Sequence, residues 1–372
     1  MKRRNLLTIV SSVALLASTA ITVANASTSS ASSVSSEVSA AQTFLFKYEN
    51  PSPTIVLPTF SAKAPKGKVL DFVGCPLSSC LEIQNAAVAG AKKLGWKIRT
   101  YEGGLTVTSF LSAMDAVVQN PGNGVMLIGV LPNSAMASQL KALSAKHIPV
   151  VESVSISPVG GNVKADFSPP AEIGQSGKVM AAWTIVDSNA KADIAFFWDP
   201  IFTSQAPAEK AFMTEMATCT TCTTSAQVTS FTTGVGTTDP GQVVSYLEAN
   251  PNVNYIAFDI GDDIVGVPQA LAAAGLASRV KIETRISDVV NFQDITAGTE
   301  TMAVTEETSE LGWRMDDAMA RWFLHDPLSP CCRTPIATIH VITSADLPAN
   351  VNVPYTVPGY VKDFLKAWRL AK

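Results

Sequence analysis

Short apolar segments alternate with amphipathic helical patterns along most of this chain, and this alternation restricts its fold more than any other feature. The first repeat is Gly67–Ile98. Its mainly apolar run Lys68–Val73 predicts a buried strand, and Trp96–Thr100 predicts the next one. Between them a helical spacing is set by Ile83, Ala86, Ala87, Ala91 and Leu94. A strand, crossover helix and strand of this length form a right-handed parallel unit.

The alternation continues in two series, which predicts two doubly wound α/β lobes with parallel sheets. The first series ends with a strand at Val163–Asp166 and a helix that begins at Ser168. The second runs from the strand Ala192–Trp198 to the strand Pro335–Ile342, and includes a helix predicted over Asp262–Ala274. Ligands of such sheets bind beyond the carboxyl ends of the strands. A cleft between the two lobes is therefore the expected binding site.

The first 26 residues have the three parts of a secretory signal peptide. A basic segment at residues 2–4 precedes the apolar segment Leu6–Val23 and the small-residue site Ala24–Ala26. We predict cleavage after Ala26 and an exported protein, in the periplasm or outside the cell. An uncleaved membrane anchor and export through the twin-arginine route, indicated by Arg3-Arg4, are the alternatives.

The segment between the predicted signal and the first strand lacks the apolar periodicity of the rest. Ser27–Ala40 is rich in serine and has almost no core-forming residues, which predicts a disordered tether. Gln42–Lys66 contains prolines at 51, 53, 58 and 65, which predicts an extended lead-in.

Charge and motifs disfavour several classes of function. The 372 residues carry a net charge of −4, and no basic block lies outside the first few positions, so nucleic acid and anionic membrane surfaces are not expected partners. No G-x-S-x-G elbow is present, and a phosphate-binding loop ending at Lys178 would need glycine where Glu172 stands. We expect no enzymatic activity, no metal and no cofactor.

Six cysteines occur as three close pairs, which in an exported chain indicates local disulfides. Six cysteines allow fifteen pairings, so proximity alone supports this assignment. The CTTC spacing of the second pair also occurs in redox motifs, but it follows a predicted helix instead of beginning one. The adjacent pair would form a strained ring and could stay reduced. The three pairs are Cys75 with Cys80, Cys219 with Cys222, and Cys331 with Cys332.

Six segments, in this order and spacing, resemble the type I periplasmic binding proteins, the family of ribose- and galactose-binding proteins. The resemblance covers roughly Pro65 to Leu347. It is carried by AKKLGW (Ala91–Trp96), GNGVMLIGVLPNSA (Gly122–Ala135), KHIPVV (Lys146–Val151), DFSPPAEIGQSGKVMAAW (Asp166–Trp183), NPNVNYIAFDIGDDIVGVPQALAAAG (Asn250–Gly275) and TSELGWRMDDAMARW (Thr308–Trp322).

The resemblance implies two lobes joined by three crossings, which close on a small solute like a hinge. We place the crossings near Asp166, Glu306 and Arg333. The implied organisation is a signal peptide at 1–26, a tether and lead-in at 27–66, an N-terminal lobe at 67–165 and 307–333, a C-terminal lobe at 166–306 and 334–347, and a tail at 348–372.

The chain departs from the sugar-binding members of that family at three places. An arginine common in the second lobe is missing from Thr203–Glu209. Of an Asn-Asp pair only Asp262 is present, and Glu152-Ser153 stands where an Asp-Arg pair is common. These departures leave the fold prediction intact and concern the identity of the solute.

The candidate ligand-binding residues lie at predicted strand ends, in the first loop and at helix starts. For the two aspartates at 262 and 263 the alternative is a helix cap, and for aromatic residues at strand ends it is packing in the core. A solvated loop acid, turn chemistry and a hinge are the alternatives for the other polar residues. The predicted set is Ser78, Ser79, Glu152, Trp198, Asp199, Phe231, Asp262, Arg285, Asp288 and Glu306.

The sequence thus predicts the exported solute-binding protein of an ABC-type importer. The solute is expected to be a sugar or polyol that favours the closed form because it contacts both lobes. We expect a monomer whose partner is the importer's membrane permease. The alternatives are a solute sensor that presents its closed form to a membrane receptor, and a secreted α/β hydrolase.

Overall fold

Residues 34, 36–51, 55, 57–228, 234–287, 289–328 and 338–371 are described by a computed structural model of the chain. The strands are β1 Val69–Gly74, β2 Lys97–Glu102, β3 Gly124–Ile128, β4 Val150–Ser153, β5 Val163–Phe167, β6 Asp193–Trp198, β7 Thr223–Val228, β8 Tyr255–Phe258, β9 Lys281–Arg285, β10 Met302–Glu306 and β11 Ile339–Ile342. The α-helices are α1 36–49, α2 Ser78–Leu94, α3 Val107–Gln119, α4 Ala137–Ala145, α5 Pro170–Asp187, α6 Ala206–Met216, α7 Asp239–Ala249, α8 Val267–Ala273, α9 Val289–Ala297, α10 Thr308–Leu324 and α11 Tyr360–Ala367.

Two separate sheets confirm the prediction of two α/β lobes. The N-terminal lobe has five parallel strands in the order β2-β1-β3-β4-β5. The C-terminal lobe has six strands in the order β11-β10-β9-β8-β6-β7, and all pairs are parallel except β10 with β11. Every residue of β3 and β8 is buried, as expected for strands covered on both faces.

The close packing of α2 against α10 brings the first residues of both helices to the cleft. A Cβ at Gly312 would lie 2.4 Å from the carbonyl oxygen of Ile83, so only glycine allows the two helices to approach this closely. Ser79 and Thr308, in the first turns of these helices, consequently lie on the same side of the cleft.

The predicted helix over Asp262–Ala274 is interrupted in the structure. A 3-10 turn occupies Gly261–Ile264, and α8 begins only at Val267. Gly266 between them has a φ of +82°, a left-handed conformation that ends the turn and that glycine adopts without strain. The interruption keeps Asp262 in a short turn beside the cleft.

The prediction of an unstructured tether and an extended lead-in is wrong for residues 36–49, which form α1. Ala41 and Leu45 are buried in the core of the C-terminal lobe, and the Thr220 hydroxyl donates to Glu37 at 2.9 Å. Val34, Val38, Ala41, Leu45 and Tyr48 recur at helical spacing, a signal hidden by the serines around them.

The two terminal segments also pass between the lobes, besides the crossings after β5 and β10. After α1 the chain reaches the core of the N-terminal lobe with Phe60. After β11 it packs Tyr355 on the C-terminal lobe and then Trp368 on the N-terminal lobe. Phe60 and Trp368 stack with ring centroids 6.3 Å apart, so the segments that precede and follow the lobes meet on one of them. The crossing predicted near Arg333 lies outside the described residues.

Two predicted disulfides are confirmed. Cys75 is bonded to Cys80 and Cys219 to Cys222, with Cα–Cα distances of 5.5 and 5.4 Å. Cys331 and Cys332 lie outside the described residues. The first disulfide closes the loop between β1 and α2, directly at the cleft.

Candidate functional site

A cavity lies between the two lobes, where the carboxyl ends of their strands face each other. It contains about 520 Å³ of atom-free space, part of it open to solvent. The enclosed void within it is only about 50 Å³, well below the roughly 300–1,000 Å³ of a typical small-molecule site, so a sugar would enter only when the cleft opens further. Both lobes contribute walls, so a molecule inside the cavity would contact both of them.

The wall from the N-terminal lobe is almost entirely apolar. It is built by the loop after β1, the first turns of α2, the residues after β3 and β4, and the start of α10. Its polar side chains are Ser79 and Thr308. The apolar members are Leu77, Ile83, Ile128, Val130, Val154, Leu311 and the disulfide of Cys75 and Cys80.

The wall from the C-terminal lobe combines apolar residues with hydrogen-bonding groups. Phe202, Ile260 and Ile286 form its apolar part, and Ser204, Gln205 and Glu306 form its polar part. Glu306 is the last residue of β10 and is 3% exposed. Its Oε1 accepts no hydrogen bond from the described residues, although the guanidinium of Arg285 lies 3.5 Å away. Glu306 lines the cavity, but this oxygen is itself shielded from solvent.

Arg285 lies behind this wall and holds its polar groups in place. The side chain is fully buried, and its Nη1 and Nη2 donate to Oε1 of Gln205 at 2.7 and 2.8 Å. Nη1 also donates to Oδ1 of Asp259 at 3.0 Å, and Nε donates to the hydroxyl of Ser176 at 3.0 Å. The amide nitrogen of Gln205 donates to the Ser204 hydroxyl at 3.3 Å and has a second N–H besides.

Buried carboxyl groups surround this arginine. Burial raises the pKa of Asp259 to about 7, against the lowering effect of Arg285. Asp263 is also buried, and its pKa lies well above the ordinary value because of burial and of the neighbouring Asp259 and Asp262. Its Oδ2 accepts a hydrogen bond from the Ile260 N–H at 3.2 Å, as a capping residue does.

Asp262 joins the two lobes at the edge of the cavity. Its Oδ1 accepts hydrogen bonds from the backbone N–H of Ser78, at 3.1 Å, and from the Ser78 hydroxyl. The hydroxyl of Ser79 lies 3.4 Å from Oδ2. A carboxylate at the first residues of α2 satisfies free N–H groups and interacts favourably with the helix dipole. Three predicted site residues thus contact one another across the cleft.

The other predicted residues lie elsewhere. Glu152 is 1% exposed, does not line the cavity and accepts a hydrogen bond from Asn133 at 3.2 Å. Asp199 accepts from the Ile201 N–H at 2.9 Å and stabilises the loop after β6, and Trp198 packs against the core of its lobe. Phe231 and Asp288 lie outside the described residues.

Sequence reasoning missed several groups that line the cavity. Gln205 and Ser204 lie in the segment Thr203–Glu209. That segment was singled out above only for its missing arginine. Their position after the strand β6 was a usable signal, because strand ends of parallel sheets face the site. Arg285 was predicted to contact solute, whereas it lies behind Gln205 and Glu306.

Two kinds of feature are absent from the described residues. Among those residues no group of three or more His, Cys, Asp or Glu side chains is placed to hold a metal ion. Within the same residues no helix has the length and apolar character needed to span a membrane.

Comparison with known proteins identifies the fold. Neither the known family models nor the curated proteins include a match to this chain. Solved structures do match. A glucose-galactose binding protein from Geobacillus stearothermophilus has a TM-score of 0.67 at 17% identity, over 76% of this chain and 100% of the other.

Two other solved structures are similar over most of their length. An ABC transporter solute-binding protein from Agrobacterium vitis with bound allitol has a TM-score of 0.64 at 17% identity, over 77% of this chain and 97% of the other. A 5-methylthioribose transporter solute-binding protein from Thermotoga lettingae, in complex with 5-methylthioribose, has a TM-score of 0.68 at 13% identity, over 82% and 94%. This chain therefore has the two-lobed fold of the type I solute-binding proteins of ABC transporters.

Proposed function

We propose that this protein is the exported solute-binding component of an ABC-type importer and captures a sugar or polyol in the cleft by hinge closure. The observation that carries the proposal is the cavity shared by both lobes, with Gln205 and Glu306 on one wall and Ser79 and Thr308 on the other. Structural neighbours that are ABC transporter solute-binding proteins, with sugars or polyols bound in several cases, support it.

The geometry provides a way for solute to favour the closed form. A molecule in the cavity contacts both lobes, whereas in an opened cleft it would contact only one. Closure is therefore favoured by the additional contacts, and the closed lobes would present one joint surface to a permease. Binding without chemical turnover follows from this proposal.

Export and the path to the importer belong to the same proposal. The signal peptide at residues 1–26 would direct secretion, and the mature protein would begin at Ser27 and act as a monomer. Amino-terminal sequencing of protein recovered after export, together with gel filtration, tests these points. A mature terminus far from Ser27, or a stable dimer, would require this part of the proposal to be revised.

Thermal melting of the exported protein against sugars and polyols tests the binding function. A ligand present at about 100 times its Kd adds about 2.7 kcal/mol to the free energy of unfolding, which raises the Tm by several degrees. Glu306→Gln should reduce the shift, because it removes a carboxylate that accepts from the solute. Glu152→Gln is the matched control, since Glu152 is buried in the other lobe and does not line the cavity.

Three outcomes have different meanings. A shift lost in Glu306→Gln and kept in Glu152→Gln supports the cleft as the site. A shift caused only by another class of solute keeps the binding role and rejects the sugar assignment. Hydrolysis of a solute by the folded protein would contradict the binding role itself.

A further inference from the structure

One wall of the cavity offers hydrogen-bonding groups and the other is mostly apolar. A ligand with hydroxyl groups on every side would match only the first. A sugar with hydroxyls on all sides needs hydrogen-bonding partners on all sides, because each buried hydroxyl without one costs about 1–3 kcal/mol of binding free energy. The C-terminal wall offers such partners at Ser204, Gln205 and Glu306. On the N-terminal wall the polar side chains are Ser79 and Thr308, and the rest is aliphatic or disulfide.

The apolar wall is formed by fixed parts of the fold. Ile128 ends the buried strand β3, and Val130 follows it closely. Both side chains are 5% exposed, and Ile83 is 2% exposed on α2. The disulfide of Cys75 and Cys80 ties the adjoining loop to α2. A ligand that fills the cavity must therefore place an apolar group against this surface.

Charge at the opposite wall excludes another class of ligand. The guanidinium of Arg285 lies 3.0 Å from Oδ1 of Asp259 and 3.5 Å from Oε1 of Glu306, so two carboxyl groups share one buried cation. Asp262 lies nearby at the edge of the cleft. A phosphate or carboxylate on the ligand would lie beside Glu306, while the nearby cation, Arg285, is already engaged by Asp259 and Gln205.

We propose, on the basis of the function proposed above, that the solute is an uncharged sugar or polyol that carries an apolar substituent. Its hydroxyls bind Gln205 and Glu306, with the Glu306 carboxylate accepting a hydrogen bond from one of them. Its substituent, such as a terminal methyl or alkylthio group, packs against Ile83, Ile128 and Val130. The differing walls thus set both the ligand's class and its orientation.

Matched pairs of sugars test this inference on the exported protein by isothermal titration calorimetry. The pairs are 5-methylthioribose with D-ribose, L-fucose with L-galactose, and L-rhamnose with L-mannose, and D-ribose 5-phosphate represents the anions. In at least one pair the substituted member should bind about tenfold more tightly, because its apolar group is buried where the parent buries a hydroxyl. The phosphate should not bind.

A change in the apolar wall provides a second measurement. Val130→Thr keeps the side-chain shape and adds a hydroxyl, so it should weaken binding of the substituted sugar about fivefold and leave the parent sugar unchanged. Val125→Thr is the matched control, because Val125 is buried in β3 but does not line the cavity. Loss of discrimination in Val130→Thr alone supports the proposed orientation.

The contrary results separate this inference from the function on which it rests. Equal or tighter binding of the unsubstituted parent in every pair that binds, or preferential binding of the phosphate, overturns the inference and leaves a sugar-binding function in place. No saturable binding of any of these sugars to folded protein overturns both.

Discussion

The N-terminal wall and the C-terminal wall of the cleft have the same topological origin but different chemistry. Each is built from loops at the carboxyl ends of parallel strands. The N-terminal wall is aliphatic and lacks a titratable side chain among the described residues that line it. The C-terminal wall carries Glu306 and is supported by a buried arginine. Topology therefore determines where the site lies, and the residues of the loops determine which ligand it binds.

The largest expected effect comes from removing the cation that supports the C-terminal wall. Arg285→Met leaves the carboxyl groups of Asp259 and Glu306 buried without their partner. Breaking a buried ion pair in this way costs about 3–5 kcal/mol of unfolding free energy. Urea unfolding should show this loss, and solute binding should disappear with it.

Lys281→Met is the control for that variant. Lys281 pairs with Asp187 at 2.6 Å, but its side chain is 45% exposed, so its removal should cost about 0–1 kcal/mol. Equal urea midpoints for the two variants would show that the C-terminal wall does not depend on its arginine.

The disulfides offer a way to alter the N-terminal wall alone. Replacing both Cys75 and Cys80 by serine should cost about 2 kcal/mol, because the reduced unfolded chain gains loop entropy. Replacing Cys219 and Cys222 should cost a similar amount, since that loop is also short. Denaturant unfolding measures both losses.

Only the first pair lines the cavity, so only its loss should weaken solute binding. Weakened binding in both double variants would indicate a general effect on folding instead.

The two walls are joined by Asp262, and its removal should separate them. Asp262→Ala takes a carboxylate away from Ser78 and Ser79 at the start of α2, a change of about 1 kcal/mol or about fivefold in the closed population. Small-angle scattering of the ligand-free protein should show a larger radius of gyration. Asp346→Ala is the control, because Asp346 is exposed and bonded within its own loop. An unchanged radius in Asp262→Ala would show that this contact does not hold the cleft closed.

A further effect is expected on the pH dependence of stability, to which buried acids of both lobes contribute. Burial is the main cause that raises the pKa of Asp166 to about 8, of Asp259 to about 7 and of Glu307 to about 9. The folded state therefore holds protons that the unfolded chain releases near pH 4. Their stabilising contribution is complete below that pH and is lost as the pH rises towards 7–9.

Melting curves should accordingly show a Tm that falls between about pH 5 and 8. Asp166→Asn removes one of these groups from the N-terminal lobe and should flatten the dependence. Asp346→Asn, at an exposed position, should leave it unchanged. A Tm that rises over this range would contradict the protonated state of the buried acids.

Particular residues show how far the sequence could predict the site. Asp262 was predicted from the family resemblance and Glu306 from its place at a crossing between the lobes, and the structure has Asp262 at the edge of the cavity and Glu306 in its lining. Glu152 and Asp199 were predicted from their places at strand ends, but they bond within their own lobe, to Asn133 and to the Ile201 backbone. Position after a strand indicates the correct edge of a sheet, but the direction of the side chain depends on local hydrogen bonds.

The terminal helix α1 shows a different failure. Its buried residues were spaced as a helix requires, but the serines around them indicated disorder. Burial against the C-terminal lobe supplies the free energy that an isolated helix of this length lacks. The helix therefore exists because of a surface formed by residues far away in the chain.

By itself the sequence determined the two α/β lobes, the cleft between them and the two described disulfides. Each of these depends on periodicity or on short separations, which act locally along the chain. Only the tertiary structure decided that Arg285 supports Gln205 and Glu306, and that an aliphatic wall faces them. The physical reason is that such contacts join residues up to 109 positions apart, and their geometry depends on how whole helices and strands pack.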